Sequence, residues 1–147
     1  VSQAQPNPSI QSQVIAKVVA TLRTPQFPAH RTRMTPFDKE ELPAYNVLPD
    51  EGASAYTDVT SIDRSFSFHV RHIAQAVDEV DAVVDPLYVA GQKALFADPT
   101  LGGLVMILRE ISSKWELEKG ALETVAFVVT YKAEFETSRS DPSQSPL

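Results

Sequence analysis

Three histidines are the first residues to weigh for metal or acid–base chemistry: His30, His69 and His72. A metal site favours ligands at i and i+4 on a helix or at alternate positions on a strand. His69 and His72 are three apart in a segment with strand alternation, so they point to opposite faces and form no ligand pair. The chain has no Cys, which removes disulfides, thiolate zinc sites, iron–sulfur clusters and Cys nucleophiles together. Gly102-Gly103 lacks the spacing and the Lys of a phosphate-binding loop and precedes a strand, so it reads as a turn. No Gly-x-Ser-x-Gly elbow is present to activate a serine.

The acids are read the same way. Asp78, Glu79, Asp81 and Asp85 gather at the start of a helical segment, where each is stabilised by the helix dipole by about 0.3–1 kcal/mol. Glu40-Glu41 lies in a charged loop, and Glu116 and Glu118 flank a turn; neither pair sits in a recognisable pocket. Trp115 is followed by Glu116 and Glu118 rather than by the basic neighbours that a nucleic-acid stacking platform needs, so it reads as core or rim packing. The residues therefore predict no catalytic centre, no metal and no cofactor.

The chain that must carry these residues has 147 of them, one domain's worth. Hydrophobic residues make up 43% and charged residues 22%, as in an ordinary globular protein. The net charge of -6 is the wrong sign for general binding to phosphate backbones. It is unevenly spread. Residues 1–34 carry Lys17, Arg23, Arg31 and Arg33 and no acid, leaving 9 of the 13 Lys and Arg with all 19 acids on residues 35–147. Such polarity fits a subunit that presents unlike faces to its neighbours, and equally a set of solvated faces. No run approaches the roughly 18 apolar residues of a membrane span, and the polar start has no signal-peptide pattern.

Stepping through the elements, Ser9 stands as an N-cap before Ile10, Val14, Ile15, Val18, Val19 and Leu22, which predicts a helix over 9–24 ended by Pro25 and Pro28. Residues 29–35 read as an edge strand and 36–43 as a charged loop. A short strand over 44–48 follows, stopped by the turn chemistry of Pro49-Asp50-Glu51-Gly52. From Tyr56 to Ile73, Phe66, Phe68, Val70 and His72 alternate with Ser65, Ser67, His69 and Arg71, a clear strand pattern. Residues 76–97 take helical period with a stripe of Val77, Val80, Val84, Leu87, Tyr88 and Leu95, kinked at Pro86. A strand from Leu104 toward Leu117, bent near Ser112-Ser113, a hairpin turn at Glu118-Lys119-Gly120 and a last alternating strand from Val125 to Phe135 complete the order. This predicts an α+β fold, an antiparallel four- to five-stranded sheet with two helices packed on one face. Residues 1–8 form a flexible lead, 9–137 one domain, and 138–147 a tail that is flexible or becomes an arm ordered in an assembly.

In this order the segments resemble the tail terminator, or tail completion, proteins of long-tailed bacteriophages. The resemblance rests on the N-terminal helix, Arg31-Thr32-Arg33 leading into Pro36-Phe37-Asp38-Lys39-Glu40-Glu41-Leu42-Pro43-Ala44, and Asp63-Arg64-Ser65-Phe66-Ser67-Phe68-His69-Val70. It continues through the Asp-rich helix and Ala97-Asp98-Pro99-Thr100-Leu101-Gly102-Gly103-Leu104 to Val125-Ala126-Phe127-Val128-Val129-Thr130-Tyr131-Lys132-Ala133. The Glu-Leu-Pro-Ala loop and the Asp-Pro-Thr-Leu-Gly-Gly turn are its most specific pieces; Pro86 departs from a helix that is continuous in such proteins. It implies a non-enzymatic virion subunit, assembled in the host cytoplasm, that forms a hexameric ring, caps the tail tube, stops its polymerisation and meets the head or neck protein. DNA would pass through the lumen without specific binding, and no membrane is involved.

A contact surface to the next subunit or to the tube protein is expected at the charged loop, Phe37, Asp38, Glu40, Glu41 and Leu42, with Arg31 and Arg33 before it and Asp50, Glu51 and Tyr56 beyond. Exposed charge beside Phe37 and Leu42 motivates this, and a solvated loop is the competing reading. A head-closure or neck adaptor would carry the same features. A small ligand-binding domain or enzyme would instead need a pocket with convergent polar groups.

Overall fold

The computed structural model describes residues 7–118 and 123–145. Its fold is α+β: α1 (Ile10–Leu22), β1 (Ala29–Arg31), a 3-10 turn (Lys39–Glu41), β2 (Ala44–Tyr56), β3 (Ser61–Ala76), α2 (Val80–Phe96), β4 (Ile107–Glu118) and β5 (Glu123–Ser138). The five strands form one sheet in the order β1-β2-β3-β5-β4.

Helix α1 begins where Ser9 Oγ accepts the Ser12 N–H at 3.1 Å, and it stops at Arg23, which is extended two residues before Pro25. Val14, Val18 and Leu22 from its inner stripe share one core with Tyr45, Val47, Phe68, Val70, Val129 and Tyr131 from the sheet and Leu87 and Leu95 from α2. The sheet residues of that set lie at facing register positions, Val47 opposite Val70 opposite Val129 and Phe68 opposite Tyr131, so they form one core face. Full burial of each such side chain contributes about 1.5–3 kcal/mol. Two polar tips tie α2 down: the Tyr45 hydroxyl donates to the Leu87 carbonyl at 2.6 Å, and the Tyr131 hydroxyl donates to Gln92 Oε1 at 2.6 Å.

The sheet is mixed, not wholly antiparallel, because β1 pairs with β2 in parallel. A parallel pair needs a long connection. Here residues 32–43 supply it by crossing the second face of the sheet, where Phe37 and Leu42 pack against Ile73, Ala126 and Val128. Strand β1 ends at Arg31, short of the expected 35, since Thr32 turns out at φ 47°.

Strand β2 runs through the expected stop at Pro49-Asp50-Glu51-Gly52, which becomes an irregularity in the β2–β3 register. The reason is parity. The Tyr45 N–H and the Val47 carbonyl both face β1, so Pro49, two residues on, turns its missing donor to the outer edge and costs the β2–β3 ladder nothing. The reversal falls instead at residues 57–60, where Asp58 Oδ1 accepts the N–H groups of Thr60 and Ser61.

Helix α2 starts at Val80 because β3 extends to Ala76 and Glu79 sits at φ 51°; Val77, expected on its apolar stripe, is outside it and exposed. Pro86 lies within the helix, as expected. Strand β4 begins at Ile107, three residues late. Leu104 to Met106 still belong to a turn in which Gly102 and Gly103 hold φ 74° and 85°, values that favour glycine, with Asp98 accepting from the Gly102 N–H at 2.9 Å. Its register shifts between Glu110 and Ser112, near the predicted bend. The turn expected at Glu118-Lys119-Gly120 lies largely outside the described residues.

After Thr137 the chain folds against its own domain. Arg139 N–H donates to the Thr60 carbonyl at 2.7 Å, Ser138 N–H to Gln144 at 2.8 Å, and Ile10 N–H to the Pro142 carbonyl at 2.9 Å, which satisfies a free donor of the first turn of α1. Among the described residues no helix is long and apolar enough to cross a membrane.

Candidate functional site

The ten residues expected at an interface fall in a stapled loop, an uncovered edge arm on β2 and the adjoining edge of β1. In the loop, Arg33 is the hub. Its guanidinium grips both carboxylate oxygens of Glu41, donates to the Pro36 carbonyl at 2.8 Å, and lies 4.2 Å from the centre of the Phe37 ring. Buried Asn46 fixes its backbone by taking the Arg33 N–H and donating to the Arg33 carbonyl, at 3.0 and 2.9 Å. The Glu41 carboxylate also accepts the Asp38 N–H at 3.2 Å. The hydrogen bond from Arg33, then that from Asp38, pulls the Glu41 carboxyl down to about 2, and the hydrogen bond to Glu41 in turn raises Arg33.

Phe37 and Leu42 are half-buried rather than displayed, so the apolar groups of this loop have an occupation inside their own chain: they cover the second face of the sheet. Asp38 and Glu40 remain exposed. A cleft of about 380 Å³ lies under the loop, lined among others by Phe37, Leu42, Ile73, Gln75 and Arg71. The two guanidiniums that reach it are already engaged, Arg33 by Glu41 and Arg71 by Glu116 at 2.9 Å.

The arm is the outer half of β2 with its turn at 57–60, an edge segment of the sheet, since β3 beside it is paired with β5 along its whole length. Beyond Val47 no strand among the described residues covers the free side of β2, and every residue from Pro49 to Thr60 is exposed. Asp50 is 3.4 Å from His69 Nε2, whose Nδ1 meets Thr130 Oγ1 at 2.9 Å. Glu51 is exposed, and Tyr56, 69% exposed, lies under the Arg139 guanidinium at 4.5 Å. Arg31 stands at the end of β1 opposite Val47, beside the start of the arm, donating to Ser12 Oγ of α1 at 2.8 Å.

His69 and His72 take opposite faces, as their spacing predicts. His72 is 1% exposed on the core face, ringed by Tyr45, Tyr88 and Phe127 at 5.4, 5.7 and 5.8 Å. Burial pushes its imidazole down to about 4, and its Nδ1 donates to the Phe127 carbonyl at 2.8 Å. It is thus a neutral packing residue.

One cluster escaped the sequence reading. On β4, Glu110 accepts from the Tyr88 hydroxyl at 2.8 Å and from Gln92 Nε2 at 3.3 Å, linking β4 to α2 and, through Gln92, to Tyr131. Burial and then Glu110 push the Tyr88 hydroxyl up to about 12. Next to it Trp115 stacks on Phe127 at 4.5 Å but stays 48% exposed. A signal was present: Leu108 and Glu110 share a face, so a carboxylate stands where β4 alternation calls for an apolar residue. No protein-family model matches the chain, and no curated protein matches it.

Proposed function

We propose that the chain is a subunit of a phage tail terminator, a ring that caps the tail tube, stops its growth and joins the tail to the head or neck. The observation that carries this reading is the arm. An edge segment whose every residue from Pro49 to Thr60 is exposed, with the outer side of β2 unpaired among the described residues, costs a monomer ordered backbone and returns little burial. In a ring stacked on a tube, such an arm has a neighbour to cover it. Asp50, Glu51 and Tyr56 would then meet the next subunit or the tube protein, while Arg33, Phe37, Glu41 and Leu42 hold the loop beside them in shape. The acidity of residues 35–147 would keep DNA from adhering to a lumen it must cross.

The test is electron microscopy of tail tubes assembled with and without the protein. A terminator leaves tubes of one length, each capped at one end by a ring, and its removal leaves tubes of uncontrolled length. Tubes of normal length without it, with unjoined heads, would instead make the protein a neck adaptor.

A further inference from the structure

The two edges of the sheet differ in kind. On the core-face side of β4, Trp115 (48% exposed) and Leu117 (76% exposed) form an apolar patch beside Tyr88 and Phe127. Among the described residues β4 pairs only with β5, so its outer N–H and C=O groups are also unpartnered. The rim of this patch is acidic. Glu110 has hydrogen-bond donors but no cation within 4 Å among the described residues, and Asp81 and Asp85 stand on the same helical stripe as Tyr88, at i, i+4 and i+7. The basic groups of β4, Arg109 and Lys114, pair in register with Lys132 and Val128 and so belong to the other face.

The opposite edge, four strand spacings or roughly 19 Å away, presents two guanidiniums where β1 meets α1, with Asp50 and Glu51 farther along on β2. Arg31 from β1 and Arg23 from the end of α1 are both exposed, bonded only to uncharged partners, Ser12 Oγ and the Ala29 carbonyl at 2.8 Å each. No carboxylate lies within 4 Å of either among the described residues. Guanidinium is also the group best suited to lie on an indole face while pairing with a nearby carboxylate.

We propose that the Trp115–Leu117 edge of one subunit, rimmed by Glu110, Asp81 and Asp85, receives the Arg23–Arg31 edge of a second copy, so that subunits join head to tail. This rests on the ring reading above and names its subunit contact; Trp115 is the platform for an incoming arginine and the carboxylates set which edge may approach. The β4 edge lies across the sheet from the arm, and the Arg23–Arg31 patch adjoins only the arm's start, so the loop and the rest of the arm are left free to meet the tube.

The experiment is sedimentation velocity at about 10 mM salt, where the screening length is about 30 Å, with the emission of Trp115, the single tryptophan, followed in parallel. Wild-type protein is expected to self-associate with a blue shift of its emission and to dissociate at about 1 M salt. D81K/D85K and R23E/R31E, each confirmed folded by circular dichroism, are expected to raise the midpoint concentration for association at least tenfold. Mixed one to one, they are expected to restore assembly, because every interface in an alternating ring then pairs opposite charges. A variant that had merely lost its fold could not be rescued in this way. Wild-type protein that stays monomeric, association that the reversals leave unchanged, or a mixture that fails to recover overturns the proposal. Rescued assembly with tubes still of uncontrolled length would leave the edge contact standing and remove the terminator reading.

Discussion

His72 offers a quantitative test of how the core is built. Its ring is 1% exposed among three aromatic side chains, and burial holds its folded-state pKa at about 4 against 6.5 in the unfolded chain. Between those values the unfolded chain binds a proton that the folded chain refuses. Stability therefore rises with pH across this window, is complete above about 6.5, and is lost as pH falls through 4. The full shift corresponds to about 3 kcal/mol, of which about 2 kcal/mol is already lost at pH 5.

Urea unfolding at pH 7, 6 and 5, followed by circular dichroism, measures this directly. His72→Phe keeps a ring against Tyr45, Tyr88 and Phe127 and removes the titration, at a cost of about 1 kcal/mol for the hydrogen bond to the Phe127 carbonyl. The wild type should thus start above the variant at pH 7 and lose about 2 kcal/mol more than it by pH 5. His30, lowered by burial and then by Arg33, titrates in both proteins and cancels in the comparison. Glu41, held near 2, adds nothing above pH 5. Equal losses of stability in the two proteins between pH 7 and 5 would refute the assignment of His72 as a buried neutral group.

Three further outcomes are expected. Glu41→Gln leaves Arg33 without its partner, so amide exchange should speed up across residues 33–42 and not in α1; the wild-type loop should hold until pH falls below the usual carboxylate range toward 2, since the folded pKa is depressed. Gly91→Ala places a Cβ 3.1 Å from Leu22 Cδ2 and 3.2 Å from Tyr45 Cε1, and this overpacking, about 1–3 kcal/mol, should outweigh the helix propensity gained, about 1 kcal/mol, and lower Tm. Arg139→Ala removes the cation from the Tyr56 ring, so exchange at residues 56–60 should rise while β3 and β5 stay protected.

Much of the fold was legible because it is written in period. The stripe from Ile10 to Leu22 behind Ser9 and the alternation through Phe66 to His72 and Val125 to Phe135 each match the element observed, since one buried face imposes its spacing on the residues that fill it. Pro49 was misread because its cost depends on where its nitrogen points, and that is decided by β1, which shields β2 only at residues 45–47. Trp115 is the rim-packing residue its acidic neighbours suggested, but its partner Phe127 and the link from Glu110 to Tyr88 were not legible, because these residues are distant in sequence and adjacent only in the fold.

Sequence by itself thus determined the α+β class, the two helices, the alternating strands and the lopsided charge, all of them properties of local spacing and composition. Tertiary structure alone decided that β1 runs parallel, that Phe37 and Leu42 cover the second face, that the outer half of β2 stands uncovered, and that Arg23 and Arg31 lie at one side of the sheet with Glu110 and Trp115 at the other. The reason is that strand pairing and burial join residues tens of positions apart, and no local pattern specifies which of them will meet.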